Sequence, residues 1–217
     1  MNIEQARANM IEQQVRPAGV LNQHVLDFLY QVRREEFVPA QYREFAFADM
    51  EIPLGHGAAM LAPKLEARIV QELSIRKSDI VLEVGTGSGY MTALLAHLAQ
   101  HVYSVEIVPE LSREAGTKLA KHGITNVTLE VGDGARGWNK HAPYDAIAVT
   151  GSLPILPPQF KQSLALDGRL FTVVGDSPAM RATLITRLAK GAFRSTRLFE
   201  TRILPLKNAL EPERFAF

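Results

Sequence analysis

Apolar positions change their spacing once along the chain, near residue 79. Before it they recur every three or four residues: Ile3, Ala6, Met10 and Ile11 in one run, then Val25, Leu26, Leu29 and Tyr30 in a second. That period places them on one helix face and predicts helices over 2–15 and 22–33. Arg16-Pro17-Ala18-Gly19 ends the first run, Phe37-Val38-Pro39 follows the second, and a short helix over 40–46 comes next. Residues 55–64, GHGAAMLAPK, read as a loop with almost no side-chain chemistry of its own. Pro63 then opens a helix with Leu65, Ile69, Val70 and Leu73 behind it.

Beyond residue 79 the apolar residues cluster instead. IVLEV (80–84), VYSVEI (102–107), VTLEV (127–131), DAIAVT (145–150) and RLFTVV (169–174) read as compact strands. Helical stretches over 89–99, 109–122 and 157–165 separate them, and such alternation predicts a parallel sheet covered on both faces. ATLITRLA (182–189) and residues 192–206 flank Lys190-Gly191, a hairpin signal. The expectation is an α/β fold: a mostly parallel, doubly wound sheet with a C-terminal antiparallel hairpin and an N-terminal helical cap. One domain spans 1–217, with the cap and the 55–64 loop in 1–78 and the sheet in 79–217.

Composition removes several function classes. The 217 residues carry 24 Lys+Arg against 23 Asp+Glu, so the whole chain shows no footprint for nucleic acid or an anionic membrane. There is no cysteine, which excludes disulfides, thiolate nucleophiles and cysteine-based zinc sites. MNIEQARANM is too polar for a secretory signal, no apolar run approaches the ~20 residues of a membrane span, and a cytoplasmic location is expected. His24, His97, His101, His122 and His141 show no ligand spacing, so no metal is expected. The Arg33–Glu36 run reads as a solvated helix end, and Arg181, Arg187, Arg197 and Arg202 read as solvent-facing.

The chemistry concentrates at VLEVGTGSGY (81–90), where a strand meets a helix. Gly85, Gly87 and Gly89 allow a sharp turn and close approach to a ligand. A dinucleotide site wants G-x-G-x-x-G, but its third glycine falls on Tyr90; the spacing here is G-x-G-x-G, preceded by Glu83. That spacing resembles the nucleotide loop of S-adenosylmethionine-dependent methyltransferases. Glu106 ends the next strand, where an acid can accept ribose hydroxyl hydrogens, and Asp133 ends the one after.

The N-terminal half narrows the resemblance. Residues 10–57, from MIEQQVRPAG to MEIPLGHG, resemble the start of protein-L-isoaspartate O-methyltransferases, and the likeness continues through VYSVEIVPEL, NVTLEVGDGARGW, APYDAIAVTGSLPILPP and TRILPL. It implies a Rossmann-like methyltransferase that uses S-adenosyl-L-methionine, releases S-adenosyl-L-homocysteine and methylates isoaspartyl carboxylates of damaged proteins or peptides. The implied cofactor residues are Glu83, Gly85, Thr86, Gly87, Gly89, Glu106, Ile107, Asp133 and Gly134; the implied substrate residues are His56, Gly57, Met60, Leu61 and Pro63. The chain departs from the family at the loop. Where the family has G-x-G-Q-T-I-S-x-P, Ala58, Ala59, Met60 and Leu61 replace Gln, Thr, Ile and Ser, and His56 stands where Tyr is common.

The loss of two hydroxyls leaves the catalytic residues unassigned. It does not exclude methyl transfer, because a carboxylate is ionised at neutral pH without a general base, and alignment alone supplies about 7–11 kcal/mol. Two alternatives stay open: a different carboxylate acceptor, or a non-catalytic S-adenosylmethionine-binding protein. Amine methylation of nucleic acid fits less well, because TGSLP (150–154) stands where an Asn/Asp-Pro-Pro-aromatic loop belongs.

Overall fold

Local signals start the helices. In the computed structural model, which describes residues 2–212, Asn2 caps helix α1 (Ile3–Met10), its side chain accepting from the amides of Glu4 and Gln5 at 3.1 and 3.3 Å. The chain continues through one π turn, Ile11–Val15, before the Pro17 break. Asn22 caps α2 (Gln23–Gln31) in the same way. Short 3₁₀ turns cover Arg34–Glu36 and Ala40–Phe45.

The segment expected as a loop is a β-hairpin: β1 (Ile52–Gly55) pairs antiparallel with β2 (Ala58–Met60). Its turn is made by Gly55, His56 and Gly57, all at positive φ, a conformation glycine adopts freely. Pro63 then starts α3 (Pro63–Leu73), which ends on Ser74 in the left-handed region.

Seven further strands form one sheet: β3 (Ile80–Val84), β4 (His101–Glu106), β5 (Val127–Val131), β6 (Tyr144–Leu153), β7 (Leu164–Val174), β8 (Arg181–Ala189) and β9 (Ala192–Glu200). They lie in the order β5-β4-β3-β6-β7-β8-β9, parallel from β5 to β7 and antiparallel from there. Helices α4 (Tyr90–Leu98), α5 (Pro109–Lys121) and α6 (Pro158–Gln162) supply crossovers. Both faces of the central strands are buried. Val81 joins a core with Leu26, Phe37, Ile52, Leu65, Ile69 and Leu94, whereas its neighbour Leu82 joins one with Tyr144, Ile147, Phe160 and Leu170. The first of these cores takes in the cap helices, so the cap and one sheet face share a single apolar interior.

Three boundaries differ from expectation. The helix read over 157–165 stops at Gln162, and β7 begins at Leu164. Asp167, at φ 60, and Gly168 make an irregularity within β7, where the partners of Tyr144 and Ala146 jump from Leu164 to Arg169, so the strand read over 169–174 begins five residues earlier. The last strand ends at Glu200 rather than 206, and the chain returns across the sheet as Leu204–Leu206 bonds to Ser152.

Candidate active site

The sheet order reverses between β3 and β6, and a crevice opens beyond their carboxyl ends, as open α/β sheets require. It is an open cleft, partly continuous with solvent, walled by the ends of β3, β4 and β6 and by the segments that follow β4 and β5. Gly85 leaves β3 with φ 101. Its amide continues the ladder to the Val105 carbonyl at 2.9 Å, and a β-carbon there would collide with the Thr150 hydroxyl. That hydroxyl donates back to the carbonyls of Val84 and Gly85, at 2.9 and 2.7 Å, and so pins the loop to β6.

Glu106 is the polar centre of the cleft. One carboxylate oxygen accepts from the Gly87 amide at 2.9 Å and the other from the Val108 amide at 3.0 Å. The acid thereby joins the glycine loop to the end of its own strand, only 5% exposed yet lining the cleft. Asp133, at the end of β5, accepts from the Ala135 amide at 3.0 Å and from the Asn208 side chain at 2.9 Å. Val84, Val105, Ile107, Val108 and Ala135 give apolar walls, and Gly134 completes that side; a β-carbon on it would press on Val84.

A narrow second cavity adjoins the cleft and shares Ala59, Gly85, Gly87 and Thr150 with it. Its other walls are Met60, Leu61, Glu66, Thr86, Ser88 and Met91. The β1–β2 hairpin therefore supplies one wall, carrying an alanine methyl and two large apolar side chains. Of the residues expected at the substrate, Gly57 lines the cleft, and Met60 and Leu61 line the smaller cavity. His56 does neither: it is exposed at the hairpin tip. Pro63 is buried at the start of α3.

Two residues expected to bind cofactor sit behind the cleft. Glu83 is fully buried beneath the loop, accepting from the hydroxyls of Thr92 and Ser104, both at 2.5–2.6 Å. Burial pushes its carboxyl up to about 8, although both hydroxyls favour the ionised form. Gly89 serves packing; a β-carbon there would lie 3.0 Å from that of Ala115 on α5. Thr86 hydrogen-bonds Ser104 and touches only the smaller cavity.

Other site residues were missed. Leu204, Pro205, Leu206 and Lys207 close the cleft. The Leu206 amide donates to the Ser152 carbonyl at 3.0 Å, and the glycine at 151 is what lets it approach so closely. Pro205, which a paired strand interior disfavours, was the available sign that the last strand ends before it.

The Arg33–Glu36 run is not a solvated helix end. Arg34 is wholly buried and pairs with Glu66 on α3, while Glu35 pairs with Arg7 at 2.5 Å. Burial raises Glu66 to about 7 against the attraction of Arg34. Of the four tail arginines, Arg187 instead reaches the Leu164 carbonyl at 2.5 Å. Among the described residues, no group of three or more His, Asp or Glu could hold a metal, and no helix is long and apolar enough to cross a membrane.

Sheet order, the G-x-G-x-G turn and acids on two successive strand ends define the class: a Rossmann-like methyltransferase fold. Solved protein-L-isoaspartate O-methyltransferases share it. One superposes with a TM-score of 0.81 at 24% identity over 94% of this chain and 67% of its own. Another, from Plasmodium falciparum and in complex with S-adenosyl-L-homocysteine, gives 0.80 at 21% identity over 95% and 99%. Among curated relatives, protein-L-isoaspartate O-methyltransferase 1 of Rhodopseudomonas palustris (strain HaA2) is 40% identical over 92% of this chain and 82% of its own length. The Gloeobacter violaceus enzyme is 39% identical over 91% and 96%. Residues 5–211 match the protein-L-isoaspartate(D-aspartate) O-methyltransferase family, and the chain belongs to it.

Proposed function

We infer that the protein is an S-adenosylmethionine-dependent carboxyl O-methyltransferase acting on isoaspartyl residues of proteins or peptides. The observation that carries this reading is the junction of the two cavities. A ligand in the cleft and an acceptor in the smaller cavity meet across Ala59, Gly85, Gly87 and Thr150.

The residues of the cleft fit the cofactor. Glu106 keeps lone pairs beyond those used by the Gly87 and Val108 amides, as a ribose diol needs. Ile107, Ala135 and Leu206 offer flat apolar surface for a purine, and Asp133 stands at that end as an acceptor for an exocyclic amine. When bound, S-adenosylmethionine supplies an electrophilic methyl group on a sulfonium.

The rest is positioning. An acceptor carboxylate arrives ionised, so no residue has to remove a proton. Thr86 and Thr150 cannot readily donate to it. Ser104 gives its hydrogen to Glu83, so Thr86 gives its own to Ser104, and Thr150 donates to backbone. Met60, Leu61 and Met91 exclude water from the junction. The apolar β2 wall also favours a second reading, in which the acceptor is another carboxylate, such as an aspartyl side chain.

The test is methyl transfer from labelled S-adenosylmethionine to matched isoaspartyl and aspartyl peptides, scored as base-labile ester. Turnover confined to the isoaspartyl peptide is expected. Preference for the aspartyl peptide selects the second reading, and cofactor binding without any ester overturns both.

A further inference from the structure

We propose that Arg34 is a positioning residue for the acceptor site: its guanidinium fixes the Ala59–Leu61 wall above the glycine loop and neutralises the carboxylate at the cavity's floor. The proposal rests on the methyl-transfer reading given above.

Arg34 reaches three separate segments. Its Nη2 donates to the Leu61 carbonyl at 2.7 Å, its Nε to the Ala46 carbonyl at 2.8 Å, and its Nη1 to the Glu66 carboxylate. The guanidinium carbon also lies 5.1 Å from the centre of the Tyr90 ring. Because the donors form a rigid planar fork, the three bonds fix the exit of β2, the end of the second 3₁₀ segment and the first turns of α3 relative to one another.

The wall needs such an outside anchor. It belongs to a two-stranded ribbon that Ile52, Met60 and Leu61 pack onto the core, but whose short ladder alone is at best marginally stable. Pro53, opposite Ala59, has no N–H for the ladder. The side chains of Ala59 and Leu61 carry no polar group, so only the backbone can tie this wall to a neighbour by hydrogen bonds. Charge adds a second reason: Glu66 lines the smaller cavity, and an anionic acceptor entering it would be repelled by an unpaired carboxylate. Arg34 is its ion-pair partner.

A buried pair can be exchanged for apolar side chains with little loss of stability, so the informative variant is Arg34→Met/Glu66→Met, with Arg34→Lys beside it. Three readouts are compared with wild type: kcat and KM for an isoaspartyl peptide, Kd for S-adenosylhomocysteine, and amide hydrogen exchange of residues 58–62 and 84–89. The double variant is expected to fold and to bind S-adenosylhomocysteine within about twofold of wild type, while kcat/KM falls by about tenfold or more, since a 1 Å misplacement can cost on the order of 100-fold. Exchange should quicken over 58–62 and hold over 84–89, and Arg34→Lys should fall between. A folded double variant with wild-type kcat/KM and exchange overturns the proposal, as does a cofactor affinity that falls in step with activity. A wild type inert on the peptide overturns the isoaspartyl reading alone; the exchange pattern then still decides about Arg34.

Discussion

The two walls of the active site are built on opposite plans. On the cofactor side, rigid parallel strands end in a carboxylate, Glu106, that holds two backbone amides, and the loop is clamped by Thr150. On the acceptor side, a short ribbon presents Ala59, Met60 and Leu61 and takes its shape from a side chain beneath it. The first wall recognises a ligand by directed polar contacts. The second can only exclude water and set a distance. The comparison teaches that substitutions should separate cleanly: changes on one wall move cofactor affinity, and changes on the other move turnover.

The largest effect is expected at Gly85. A β-carbon there meets the Thr150 hydroxyl at a φ of 101, so Gly85→Ala should lower S-adenosylhomocysteine affinity on the order of 100-fold and reduce Tm by several degrees, at about 2–4 °C per kcal/mol. Calorimetric titration and a melting curve check both. Glu106→Ala comes next, removing the acceptor proposed for the ribose; one hydrogen bond to a charged group contributes about 1.5–3 kcal/mol, which predicts an affinity loss of about 10- to 100-fold by the same titration. Neither substitution is expected to change the ratio of isoaspartyl to aspartyl turnover.

Leu61→Ser probes the other wall. A hydroxyl bonding a charged acceptor should raise kcat/KM for an isoaspartyl peptide about fivefold, with cofactor affinity unmoved. If affinity moves as well, the walls are not independent.

The smallest effect is a pH dependence. Glu83 is raised to about 8 in the folded protein, above its ordinary unfolded value. Between those values the unfolded chain releases a proton that the folded chain keeps, so stability falls as pH rises through the window and levels off above about 8. Glu83→Gln removes that slope. Its Tm relative to wild type should climb steadily between pH 5 and pH 8, read by melts across the range.

How much of this was legible in the sequence follows from the range of each interaction. The β3 loop and the acids at 106 and 133 could be read because each is local: a strand, then the residue that ends it. The hairpin escaped because its strands are four and three residues long, with two glycines and Pro53 breaking the alternation that marks a strand. Arg34 and Glu35 read as solvated because their partners lie 32 and 28 residues away, and nothing in RREE reports them. Glu83 was placed in the cleft because its position in the motif gives no depth; the hydroxyls of Thr92 and Ser104 show that it belongs to the layer beneath.

The return of the chain across the sheet also bears on how the protein is made. Residues 204–207 enclose the nucleotide cleft, yet they follow every strand of the sheet. The chain therefore lays down every strand of the sheet before it reaches the segment that closes the cleft. Truncation ahead of Leu204 is expected to keep the strands and to weaken retention of the methyl donor, because it removes one wall of the cleft.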